Sequence, residues 1–320
     1  MKHSGHAEAW RAWRAALAGP RMHHGWLLAG KRGTGKIDFA MAAARELVAE
    51  ADIPQPTGDH PDIIILTHLP ANADEEKKRA DGKPWQARRN ITVEQIREMQ
   101  HRLTTRPTLG NRRAIIISPA DDLEKGSANA LLKSLEEPPQ GSYFLLVAHR
   151  PGRLLPTIRS RCRVLRFAEA SKREIEEFLS REAPQADIEM RAQAASAAAG
   201  SPGAALDFVD NKLAPLHLLM RRILVDGDDT FERRGELADE MGARPTRERQ
   251  LAVIELARTV IAQEMYNVSR QQLPGLISAH EDLNRLAVQA PTYNFDAGLL
   301  IMEIGSLLAR AARPREPAHG

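Results

Sequence analysis

The run Gly30-Lys31-Arg32-Gly33-Thr34-Gly35-Lys36-Ile37 decides how this chain is read. It fits the phosphate-cradling pattern G-x-x-x-x-G-K-[S/T] at every required position but the last. In that pattern glycines turn backbone N–H groups toward phosphate oxygens, the lysine reaches the β- and γ-phosphates, and the closing hydroxyl holds Mg²⁺. Ile37 has no hydroxyl. The flanks are those of a true P-loop, because Gly25 to Ala29 reads as a short buried strand and Ile37, Ala40, Met41, Ala44, Leu47 and Val48 recur at helical spacing. Gly30, Gly33, Thr34, Gly35 and Lys36 are therefore the candidate phosphate-binding residues. A lysine kept only for a salt bridge, or for an anion at the helix N-terminus, is an equal reading of Lys36.

Working outward, strands and helices alternate up to Phe167. Asp62 to Leu66, Arg113 to Ile117, Tyr143 to Val147 and Val164 to Phe167 read as strands, the run at Arg113 continuous in apolar character as a central parallel strand should be, and their alternation with helices implies a parallel sheet covered on both faces. An N-terminal helix with Trp10 and Trp13 on its stripe ends at Gly19-Pro20. His68 to Arg89 reads as a charged loop, Thr92 to Gln95 as a capping box, and Ser127 as the cap of the helix that Pro138-Pro139 stops. Beyond Phe167 only helices are expected. Ser171 to Glu174 is a second capping box, and about five helices follow Asn211, among them 247–266 and 297–311. The expected plan is an α/β P-loop domain over 1–167, a small helical lid over 168–210 and an all-helical domain over 211–320.

The chain has 320 residues, a formal net charge of +3 and one cysteine, Cys162. An internal disulfide is excluded, and no Cys/His spacing suits zinc, so a reducing, cytoplasmic setting is expected. His60 reads as a turn residue. No secretory signal and no span of ~20 apolar residues is found. At 4 % aromatic residues, a stacking platform for single-stranded bases is not supported. Charge is unevenly placed. From Pro138 to Ala168 there is no Asp or Glu, while Arg150, Arg153, Arg159, Arg161, Arg163 and Arg166 share the segment.

A P-loop ATPase also needs strand-end acids to hold Mg²⁺ and activate water. The third strand ends Ser118-Pro119-Ala120-Asp121, with Ser118 and Pro119 where both acids belong; Asp121 and Asp122 read as turn or capping residues. That string, with Asn129 to Pro139 and with His149-Arg150-Pro151-Gly152 running on to Ser160-Arg161-Cys162, resembles the AAA+ clamp-loader family, most strongly from His24 to Phe167.

The resemblance implies a three-domain AAA+ subunit whose helical third domain is a collar. It implies that the Ser-Arg-Cys arginine, Arg161, acts in trans at the ATP site of an adjacent subunit. With Ile37, Ser118 and Pro119 in place, and no arginine in the lid segment Gly200 to Leu206, the chain is similar to members that have lost hydrolysis at their own loop. No cofactor is then required, weak nucleotide binding at most is expected, and no metal site. Many of the subunits it most resembles carry a four-cysteine zinc module before the second strand; this chain has no cysteine there, so no zinc is expected. Implied partners are the ATPase subunits, gamma/tau, the delta subunit, and through the complex the sliding clamp and primer-template DNA. Two alternatives stay open: an ATPase acting in cis, and a pure scaffold. Arg161 is expected to carry a free charge, since no carboxylate lies near it in sequence.

Overall fold

The computed structural model describes residues 6–83, 85–290 and 295–312. The chain forms two compact units, residues 1–77 with 87–170, and residues 78–86 with 171–320.

The first unit is built on a five-stranded parallel sheet. In chain order its elements are α1 (Ala7–Leu17), β1 (Gly25–Gly30), α2 (Lys36–Val48), β2 (Ile63–Leu66), α3 (Ala73–Ala80, whose last three residues fall in the second unit), α4 (Val93–Arg102), β3 (Arg113–Ile117), α5 (Lys125–Glu136), β4 (Ser142–Ala148), α6 (Pro156–Arg159) and β5 (Arg163–Phe167). Strand order is β2-β3-β4-β1-β5, which sets β1 between β4 and β5. Side chains alternate across the sheet, so each strand feeds two cores. Trp26, Leu28, Ile116, Leu145 and Leu165 pack with Trp10, Trp13, Phe39 and Leu47 of α1 and α2 on one face. Leu27, Ile115, Ile117, Phe144 and Leu146 pack with Ile96, Met99, Leu131 and Leu135 of α4 and α5 on the other.

Two local expectations are corrected. The segment from His68 to Arg89 is not all loop: it holds α3, whose Glu75 N–H is accepted by Asn72 Oδ1 at 3.0 Å. Asp74, Glu75 and Glu76 in its first turn suit the helix dipole, but the helix has no apolar stripe to betray it. Ser127 is not a cap either. The helix α5 starts two residues earlier, and buried Ser127 donates its hydroxyl to Ile91 O at 2.8 Å. The capping box at Thr92 is formed with Gln95, whose side chain accepts the Thr92 N–H. His60 is a buried turn residue, accepting Asp62 N–H on Nδ1.

The second unit is helical where described: α7 (Lys172–Glu182), α8 (Ile188–Ala197), α9 (Pro202–Asp210), α10 (Ala214–Asp226), α11 (Glu232–Met241), α12 (Arg247–Glu264), α13 (Leu273–Gln289) and α14 (Ala297–Arg310). The Ser171 capping box closes on Glu174, and five helices follow Asn211 as the periodicity predicts. A buried ion pair, Arg234 Nε to Asp228 Oδ2 at 2.7 Å, ties the start of α11 to the turn before it. No described helix is long and apolar enough to cross a membrane.

Candidate functional site

The phosphate loop joins β1 to α2, with Gly33 and Gly35 at φ +75° and +76°, values that favour glycine. Its lysine is turned onto the loop itself. Lys36 Nζ donates to Gly30 O at 2.8 Å, to Lys31 O at 2.5 Å and to Thr34 Oγ1 at 3.3 Å, and the residue is 2 % exposed. Thr34 Oγ1 in turn donates to Lys31 O at 2.8 Å. An ammonium ion has three N–H donors, so this set accounts for all of them. Burial disfavours the charged form and lowers the Lys36 pKa to about 8, against the opposing pull of Asp121.

The loop is also covered from the N-terminal side. His6, the residue before α1, donates Nε2–H to Thr34 O at 2.6 Å, and its ring stacks at a tilt on Phe167, 4.5 Å between centroids. A Cβ on Gly35 would lie 3.5 Å from His6 Nε2. Gly30 meets β5 still more closely, because a Cβ there would fall 2.4 Å from Phe167 O. Its glycine is thus demanded by strand packing, whatever the loop binds. Ile37 is partly exposed in the first turn of α2 and offers no oxygen.

At the end of β3, Ser118 and Pro119 lead into a short turn, Ala120–Asp122. Asp121 is no helix cap. Its carboxylate is 1 % exposed and accepts His149 N–H at 2.8 Å and Arg150 N–H at 3.1 Å, with Arg150 Nε at 3.5 Å. Asp122 pairs with His68 at 3.4 Å and Arg150 at 3.5 Å. Burial alone would raise the Asp122 pKa, but His68, Arg150 and Arg153 outweigh it and hold it below the usual range. His149, at the end of β4, has its pKa lowered to about 4 by burial and then by the charge of Lys36; its Nδ1 is buried with no partner among the described residues. The fold thus draws Lys36, Asp121 and His149 into one electrostatic neighbourhood. In the sequence Lys36 reads as a phosphate ligand and Asp121 as a turn or capping residue, while His149 stands only within the string that carries the family resemblance, with no role of its own.

Arg161 sits on a separate loop, between α6 and β5. It is not a free charge: Nη2 pairs with Glu136 Oε1 at 2.7 Å and Nη1 donates to Thr157 O at 2.9 Å, with 35 % of the side chain exposed. The expectation failed because the neutralising acid lies at the end of α5, ahead of the acid-free segment, and only the packing of α5 beside α6 brings it near. Cys162, next to it, is partly buried and its thiol is pushed up to about 12, which removes it as a nucleophile. Arg150 is engaged by Asp121 and Asp122.

A parallel sheet ordered 2-3-4-1-5 with a phosphate loop after its first strand, in a chain that also carries a helical unit, is the architecture of a AAA+ protein. A RuvB variant from Thermotoga maritima shares this fold, with a TM-score of 0.50 at 15 % identity over 90 % of this chain and 85 % of that one. Residues 5–171, about half of the chain, match the family described as DNA polymerase III, delta subunit. The chain belongs to that family, on its delta-prime branch: DNA polymerase III subunit delta' of Pseudomonas aeruginosa is 33 % identical over 159 residues, 46 % of this chain and 44 % of that protein. The same subunit of Escherichia coli K12 is 31 % identical over 60 % of this chain and 56 % of its own length. The chain therefore aligns with about half the length of these relatives. Proteins named DNA polymerase III subunit gamma and tau/gamma match as well.

Proposed function

We propose that this chain is a subunit of a bacterial DNA polymerase III clamp loader that does not hydrolyse ATP at its own loop and supplies Arg161 in trans to the ATP site of a neighbouring subunit. The observation that carries the first half is the satisfied, buried ammonium of Lys36: a phosphate taking the loop must displace its bonds to Gly30 O, Lys31 O and Thr34 Oγ1. Ile37, Ser118 and Pro119 add no oxygen ligand or general base in the positions where Mg²⁺ and the attacking water are managed. Nucleotide binding at Gly30, Gly33, Thr34, Gly35 and Lys36 is accordingly weak and nearly independent of Mg²⁺, and no other cofactor is needed. The relatives named gamma and tau/gamma suggest the ATPase partners, and the family description suggests delta. The sliding clamp and primed DNA are engaged through the assembled loader, in the cytoplasm. The helices after Asn211 serve as the collar that joins the partners.

The second half rests on the chemistry of Arg161. A planar, permanently charged guanidinium matches the spread negative charge of a transferring phosphoryl group, and arginines of this kind contribute about 10³ to 10⁵ in rate at one site. The test is Arg161→Ala in a loader reconstituted from this chain, its ATPase partners and delta. Assembly should persist while DNA-stimulated ATPase and clamp loading fall, by less than the single-site figure because other sites turn over normally. Arg161→Lys should not rescue. Unchanged clamp loading would leave the chain a scaffold, and Mg²⁺-dependent turnover by the isolated chain, abolished by Lys36→Ala, would make it an ATPase in cis.

A further inference from the structure

Glu136 closes α5, and Glu137 follows it as the C-terminal cap. Acidic residues are disfavoured there, because the helix dipole places partial negative charge at that end. Helix stability therefore gives no reason for a carboxylate at 136. What Glu136 does in the fold is hold Arg161, Oε1 to Nη2 at 2.7 Å.

The guanidinium is fixed at two points. Thr157 O accepts from Nη1 on one side and Glu136 accepts from Nη2 on the other. The backbone under it is fixed as well, since a Cβ on Gly25 would stand 2.8 Å from Arg161 O, so the loop packs directly on the start of β1. Of the five N–H donors of an arginine, two are used in these contacts, which leaves donors for an anion without dismantling either one. The Glu136 and Arg161 side chains are 47 % and 35 % exposed. A pair so exposed adds little to stability, so its consequence lies in orientation.

We infer that Glu136 is a positioning residue for Arg161: it holds the guanidinium in one orientation, so that the remaining donors meet the phosphoryl group of the neighbouring subunit without a search over side-chain rotamers. This rests on the reading of Arg161 as a trans-acting arginine. Holding a charged group within its productive geometry acts on the chemical step, so the effect belongs in kcat and not in the KM for ATP.

The experiment is a double-mutant cycle in the reconstituted loader, with ATP as probe. It compares wild type, Glu136→Gln, Arg161→Ala and the double variant, with Glu136→Asp as a second test of side-chain reach. Glu136→Gln should lower the DNA-stimulated rate about three- to tenfold at the single ATP site that Arg161 faces, and the loader's overall kcat by less than Arg161→Ala does, with KM unchanged, while thermal stability and co-elution with partners stay the same or improve. On the Arg161→Ala background it should have no further effect. Glu136→Asp should fall between wild type and Glu136→Gln. Loss with Arg161→Ala but none with Glu136→Gln overturns this inference and leaves the trans arginine standing. A faster Glu136→Gln loader, or an equal loss on the Arg161→Ala background, also overturns it. If neither single variant changes the rate, the trans-arginine reading itself fails and this one falls with it.

Discussion

Asp121 accepts the backbone N–H of His149 at 2.8 Å, and so joins the end of β3 to the end of β4 beside the phosphate loop. A buried carboxylate that also takes Arg150 N–H is a structural hub, two residues past Pro119 in the short turn that follows β3. Replacement by alanine leaves two backbone donors without their acceptor. Asp121→Ala should therefore cost about 3 kcal/mol in urea unfolding, with Asp121→Asn intermediate because one acceptor oxygen remains. Tryptophan fluorescence reports the relevant unit, since Trp10, Trp13 and Trp26 all lie in it. A loss below about 1 kcal/mol would mean that these bonds do not hold the two strand ends.

Gly30 separates a packing requirement from a phosphate requirement. Because a methyl group there would meet Phe167 O at 2.4 Å, Gly30→Ala should destabilise the α/β unit by about 1–3 kcal/mol even with no nucleotide present. Gly152→Ala is the control, as no atom lies within 4 Å of its added Cβ, and it should stay within about 0.5 kcal/mol of wild type. Equal stability of the Gly30 variant would return this glycine to a purely ligand-binding role.

Lys36 links the closed loop to pH. Its folded pKa of about 8 lies below the ordinary 10.5, so between those values the unfolded chain binds more protons than the folded one. Stability contributed by this group therefore rises as pH rises from about 8 to about 10.5, and is lowest when Lys36 is fully charged. Relative to Lys36→Met, whose unfolding free energy lacks this dependence, wild type should gain up to about 3 kcal/mol across that window. Parallel pH profiles of the two proteins would show that the ammonium is not desolvated, and would weaken the case for a loop closed on its own lysine.

Much of this protein is determined by local sequence. Apolar runs marked the inner strands β1, β3 and β4, because a strand buried on both faces has few polar positions to spare, while the edge strands β2 and β5 keep exposed positions at Ile65, Val164 and Arg166. The capping boxes at Thr92 and Ser171, and the helical stripes after Asn211, were legible for the same local reason: hydrogen bonding and periodicity act over three or four residues. The missing hydroxyl at Ile37 and the missing acids at Ser118 and Pro119 were likewise plain, being questions of residue identity alone. The helix α3 escaped because its stability comes from polar capping and the dipole, and leaves no apolar period. Only the tertiary structure decided what the remaining polar groups do. His6 over Thr34, Asp121 under His149 and Arg150, and Glu136 beside Arg161 are each joined across intervening elements of the fold. Charge at such distances along the chain finds its partner through strand order and helix packing, and no spacing in the sequence encodes the choice.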